Sequence, residues 1–211
     1  VPVHDRSERP WITDSVPQGT SAVGAWIVND KLVKGKKLHS TKAAKGLFNH
    51  GFQSAGVPFL VRKNDSLYAY VYLHPKKTPE SIMVQWHDGK GWEHRAFWGK
   101  DSFKVGEAKT VSRYRVGDLP KAGELVRLEV PAKDIGLAGA QLRGMQFSVS
   151  GGEAWWSAGG ALPSPYFEVP ELYATKAYPL QAETKTDEES VTTLWRGTFP
   201  LNRSGWYRVV M

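Results

Sequence analysis

The chain has 211 residues and no cysteine, which excludes disulfides, thiol catalysis and a Cys-ligated zinc. Its hydrophobic content of 41% and mean hydropathy of -0.42 are those of a soluble globular chain, and no apolar run nears the roughly 18 residues of a spanning helix, so no membrane insertion is expected. The net charge of +7 comes from scattered Lys and Arg whose densest clusters, Lys34-Gly35-Lys36-Lys37 and Lys76-Lys77, are short, so it reads as a basic solvated surface with no nucleic-acid partner.

Residues 1–20 carry prolines, charges and little periodicity, and read as an extended lead-in with Trp11 as an anchor. No charged-then-apolar segment opens the chain, so a leader is expected to have been removed or never present. The run AVGAWIV at 22–28 reads as the first strand. Residues 31–56 are mixed and Gly-punctuated, and hold His39, Phe48, His50 and Phe52 in short strands and loops. A strand is expected at 59–62. LYAYVYLH at 67–74 then alternates, with Leu67, Ala69, Val71 and Leu73 on one face and Tyr68, Tyr70 and Tyr72 on the other.

SIMVQWHDGKGWEHRAFW, at 81–98, follows as two apolar-aromatic runs joined by an Asp- and Gly-rich turn, the signal of a β-hairpin. It places Trp86, Trp92 and Trp98 on one small piece of sheet. VSRYRVGDLP at 111–120 predicts an edge strand. LVRLEVP at 125–131 predicts a half-buried one ended by Pro131, which opens a helical turn over 132–137. MQFSVS at 145–150 alternates with Met145, Phe147 and Val149 inward, and Gly151-Gly152 turns the chain into EAWWSAGG. About ten strands and no helix-length apolar period predict a β-sandwich. Past Pro163 the prolines crowd and the acidic patch Asp187-Glu188-Glu189 follows, with further strands expected at 192–200 and 205–211. The organisation expected is therefore a lead-in at 1–20, a sandwich at 21–163, and a β-rich tail or truncated second module at 164–211.

The aromatic set Trp86, Trp92, Trp98, Trp155 and Trp156 either lies mostly in the core or leaves a partly exposed platform, and it is the best candidate for binding chemistry. Sugar rings present apolar C–H faces that stack on flat aromatics, while neighbouring polar groups hydrogen-bond the hydroxyls. Trp155 and Trp156 are adjacent, so on a strand they point to opposite faces. Glu93 and Arg95 share a face and His94 takes the other, where it either joins His87 or His50 at a site or sits satisfied in the interior. The histidines show no HxH or HExxH spacing, so no zinc or other metal is expected. Glu80, Glu93, Glu107, Asp118, Glu124, Glu129 and Glu153 include no marked opposed pair. Serine-hydrolase, dinucleotide and phosphate-loop motifs are absent.

The succession IMVQWHDGKGWEHRAFWG, GDLPKAGELVRLEVPAKDIGL and LRGMQFSVSGGEAWWSAGG resembles a jelly-roll domain, galactose-binding-like or lectin-like, of large exported bacterial proteins. It is similar to those appended to planctomycete-type surface proteins, some with cytochrome c modules. The resemblance spans about residues 11–160. It departs at Leu73-His74-Pro75, where the pattern usually reads YLDP, and at Trp155-Trp156-Ser157, where it reads YWD. Both changes remove a carboxylate, so a calcium role for those acids does not carry over.

The resemblance and the aromatic set together imply an all-β jelly-roll sandwich serving as a non-catalytic, carbohydrate-binding module of an exported bacterial protein. Its partners would be a polysaccharide or glycan and the other domains of a larger parent, with no cofactor. The residues expected to bind are His50, Trp86, Trp92, His94, Trp98 and Trp156. A structural or protein-interaction domain without a small ligand, and a polysaccharide-active enzyme, are the alternatives.

Overall fold

The computed structural model describes residues 8–41 and 47–163, together with the backbone of residues 181–186 and 191–196. The chain forms two compact units, Val1–Ser164 and Pro165–Met211. The strands of the first are β1 (Arg9–Ile12), β2 (Ser21–Val23), β3 (Ile27–Val33), β4 (Lys36–Ser40), β5 (Leu47–Gln53), β6 (Phe59–Leu60), β7 (Ser66–Leu73), β8 (Ser81–His87), β9 (His94–Gly99), β10 (Tyr114–Gly117), β11 (Leu125–Pro131), β12 (Gln141–Leu142), β13 (Gly144–Ser150) and β14 (Ala154–Leu162). They make two six-stranded sheets that face each other as a jelly-roll sandwich. The first sheet runs β11-β7-β14-β4-β3 with β1 also on β14, and the second runs β10-β9-β8-β13-β5-β2. Strands β6 and β12 pair separately. All of these pairs are antiparallel except β9 with β10, at the edge of the second sheet. In the second unit, β15 (Gln181–Thr186) and β16 (Val191–Arg196) form an antiparallel hairpin.

Strand periodicity decides what fills the space between the sheets. From the second sheet come cross-strand rows such as Phe52, Met145 and Trp86, then His50, Phe147, Val84 and Ala96, then Phe48, Val149, Ile82 and Trp98. The first sheet answers with Leu67, Ala69, Val71 and Leu73 of β7, Leu128 and Val130 of β11, and Trp156 of β14. Trp156 meets Phe147 with ring centroids 4.9 Å apart across this layer. Each Val, Leu, Ile, Phe or Met among them contributes about 1.5–3 kcal/mol by leaving water.

The alternation read at residues 67–73, the hairpin at 81–98, the edge strand after Val111 and the strand ended by Pro131 all appear in the fold. After that proline the chain makes one 3₁₀ turn, Ala132–Ile135, stopped by Gly136 at φ +71°.

Three features differ from the sequence reading. The run at 22–28 is two strands in different sheets. It breaks at Gly24, whose φ of +71° and whose 2.3 Å gap from a would-be Cβ to the Asn49 carbonyl oxygen admit no side chain. The strand expected at 59–62 stops at Leu60, because the Asp65 carboxylate accepts the Arg62 N–H at 2.9 Å and starts a turn there. Residues 9–12, inside the stretch read as a lead-in, pair with β14 as β1. Of the strands expected in the tail, the one at 205–211 lies outside the described residues.

Candidate functional site

The outward side of the second sheet can be written row by row from its register. Gln53, Gly144 and His87 form one row. Val23, Gly51, Gln146, Gln85 and Arg95 form the next. Asn49, Ser148, Met83 and Phe97 form the third. Phe103, from the segment after β9, lies on Met83 and Phe97 and closes that corner with a small apolar cluster. Apart from Val23 and two glycines, the rest of these rows is polar. Gly51 and Gly144 are buried in the face and admit no side chain, since a Cβ would stand 2.2 Å and 2.7 Å from neighbouring carbonyl oxygens.

A chain of hydrogen bonds crosses three strands of this face. Arg95 Nε donates to Gln85 Oε1 at 2.9 Å, and Gln85 Nε2 donates to Gln146 Oε1 at 3.0 Å and to Ser148 Oγ at 2.9 Å. The remaining guanidinium nitrogens go to both Glu93 oxygens and to the Ser112 carbonyl. Arg95 is only 7% exposed, and a buried cation needs this compensation. The same guanidinium holds the Glu93 carboxyl below its usual range.

Trp92 stands at the rim, in the turn between β8 and β9. Its ring lies over Gly144, with Cη2 3.1 Å from where a Cβ would be, and meets His87 edge-on at 5.2 Å. The turn is built by Asp88, whose Oδ1 accepts the N–H groups of Lys90 at 2.9 Å and Gly91 at 3.1 Å. Burial alone would raise the Asp88 pKa, but those N–H groups and His94 lower it on balance. His87 Nδ1 accepts from the Gly89 N–H at 3.0 Å, which leaves the ring proton on Nε2.

Of the six residues expected to bind, the structure puts Trp92 alone on this face. Trp86, Trp98, Trp156 and His50, at 2%, 6%, 1% and 1% exposure, lie between the sheets and have no free ring face for a ligand. Their strand positions share the inward parity of Val84, Ala96 and Phe147, and that parity, not their chemistry, decides their place. His94 is also inward in parity. It donates from Nδ1 to the Ile135 carbonyl at 2.7 Å, and its Nε2 stands 3.5 Å from Asp88 Oδ2, so it braces the turn from behind. Trp155 points the opposite way from Trp156, onto the outer side of the first sheet opposite Tyr72.

His50 belongs to a buried pair. His39 Nε2 donates to the Ser157 carbonyl at 3.2 Å, so its Nδ1 accepts from His50 Nε2 at 2.8 Å. Trp26 stacks on His39 at 4.0 Å. Burial pushes the His39 pKa down to about 3, and burial together with the neighbouring His39 pushes His50 down to about 2. Both rings are neutral at pH 7. Their direct contact leaves no room for a shared ion, and no cluster of metal-ligating side chains occurs among the described residues.

The sequence reading missed Gln85, Gln146, Ser148 and the two glycines as members of one surface. A cleft of about 490 Å³ at the far end of β8 and β9 is lined by Glu80, Lys100, Asp101, Arg115 and Asp118 with no aromatic ring. Its acids are paired with Lys100, Arg113 and Arg115 at 3.7, 3.6 and 2.6 Å.

No family model and no curated protein matches the chain. Among solved structures it is similar to CBM27-1 of Caldicellulosiruptor saccharolyticus, determined in complex with mannohexaose. The two share 12% identity over 72% of this chain and 96% of that one, at a TM-score of 0.40.

Proposed function

We propose that the protein is a non-catalytic carbohydrate-binding module that holds a polysaccharide on the outer side of its second sheet. The observation that carries this reading is the placing of Trp92 over Gly144, beside the hydrogen-bonded row of Gln146, Gln85 and Arg95. A flat indole offers a surface to the C–H side of a pyranose, and the half-buried Gln146 amide beside it offers a hydrogen bond to its oxygens. Arg95 and Glu93 neutralise each other, so the face suits an uncharged chain. The acids of the other cleft are held in ion pairs, which favours binding over hydrolysis. In keeping with the resemblance read from the sequence, the module would serve an exported bacterial protein and work beside its other domains.

The test is retention in affinity gels containing soluble mannan, glucan or xylan, followed by titration calorimetry. Retention of the native chain by one of these is expected, together with a shift in indole emission. Trp92→Ala should weaken binding about tenfold or more, the worth of one good stacking contact with its hydrogen-bonded surround. Equal binding by native and Trp92→Ala protein would remove this face from the function. No retention on any polysaccharide, with emission unchanged, would favour a structural domain, a reading supported by the burial of Trp86, Trp98 and Trp156.

A further inference from the structure

The row on the outer side of the second sheet has a direction, and that direction specifies what the sugar must offer. A guanidinium has only donors, so the Gln85 amide must turn its oxygen to Arg95, as the 2.9 Å contact shows. Its nitrogen then faces β13, where its two hydrogens are spent on Gln146 Oε1 and Ser148 Oγ. Gln146 in turn must present its oxygen to Gln85, which leaves its NH₂ group at the open end. Directly opposite on β5 is Gly51, which has no side chain to accept from it. Gln146 is half-buried, beside the Gly144 over which Trp92 lies.

We propose that Gln85 and Arg95 are positioning residues that lock Gln146 as a hydrogen-bond donor, selecting an uncharged polysaccharide whose ring or glycosidic oxygen accepts from it. This rests on the carbohydrate reading of the face and names its specificity. A sugar hydroxyl can donate or accept, and so would tolerate either orientation of the Gln146 amide. An acetal oxygen only accepts. Arg95 acts without touching the ligand: it is covered by Ser112 and held by Glu93, so it sets amide polarity and offers no free cation to a uronate.

The decisive variant is Gln85→Glu. The new carboxylate still accepts from Arg95, but it has no hydrogen for Gln146, whose amide must rotate and show its oxygen outward. Calorimetry against mannan, glucan, xylan and polygalacturonate, with urea unfolding and the side-chain amide NMR signals of Gln146 in parallel, reads the result. The expectation is an unchanged or raised urea midpoint, shifted Gln146 amide signals, and about a tenfold or larger loss of affinity for the neutral polymer. Full affinity in Gln85→Glu, while Trp92→Ala loses it, would overturn this proposal and leave the carbohydrate site standing. Preference of the native chain for polygalacturonate would overturn it as well. Failure of the native chain to bind any of the four polymers would take both readings down. If Gln85→Glu does not fold, Gln146→Glu at its half-exposed position replaces the donor with acceptors directly. The same loss of affinity is expected there, and undiminished binding by that variant would overturn the proposal.

Discussion

Tryptophans of one hairpin stand in opposite surroundings here, and strand position divides them. Trp86 shares its inward row with Met145 and Phe52 and is closed over on both sides, whereas Trp92 sits beyond the strand end with part of its ring in water. Trp86→Ala should therefore leave a large void and cost about 3–5 kcal/mol in urea unfolding. Trp92→Ala should cost well under half of that while removing polysaccharide retention. A similar stability loss for both would show that Trp92 is also a core residue. Neither ring's role was legible from its identity. The sequence reading gathered Trp86, Trp92, Trp98, Trp155 and Trp156 into one aromatic set, because composition records density and only pairing register records direction. The glutamines are the converse case. Gln85 and Gln146 look unremarkable inside apolar strands until the register sets them opposite each other and next to Arg95.

Elements with strong alternation announced themselves, and those whose existence depends on a partner did not. β7 carries Leu67, Ala69, Val71 and Leu73 at perfect two-residue spacing, and β8 and β9 are joined by the Asx turn of Asp88, so both could be read directly. Strands β2, β6 and β12 span two or three residues each, too few to show a period, and exist because a neighbouring edge is available to pair with. β1 is the clearest case. Its residues, RPWI, include a proline and carry no strand pattern, yet they lie along β14 because Gly160 lets them come close. A Cβ on Gly160 would stand 2.1 Å from the Arg9 carbonyl oxygen and 2.9 Å from Pro10 Cα. Gly160→Ala should therefore push β1 off the sheet, at about 1–3 kcal/mol. It should also make residues 9–12 more readily cut by proteases than in the native chain. Unchanged cleavage kinetics and an unchanged urea midpoint would mean that β1 tolerates the displacement.

At the scale of the molecule, the two sheets close over a pair of histidines that cannot charge without opening them. His39 and His50 keep pKa values of about 3 and about 2, against an ordinary 6.5 in the unfolded chain. Below pH 6.5 the unfolded chain therefore binds protons that the folded one refuses, and stability falls as the pH drops; it levels off only once the buried rings themselves titrate, near 2–3. Each ring contributes up to about 1.4 kcal/mol per pH unit in that window, so the pair costs on the order of 4 kcal/mol between pH 6.5 and 4.5. That is a large share of the roughly 5–15 kcal/mol by which a domain is stable. The carboxylates act lower down. Glu8 and Glu93 are depressed from 4.5, and Asp14 and Asp88 from 3.8, so their contribution is present above those values and is lost only as the pH falls through them. Urea midpoints at pH 7, 6, 5 and 4.5 should thus decline before any of these acids protonates. The double variant His39→Gln with His50→Gln, which keeps amide partners in place of the imidazoles but cannot titrate, should flatten that decline whatever its absolute stability. A decline of equal slope in the double variant would place the acid sensitivity elsewhere in the molecule.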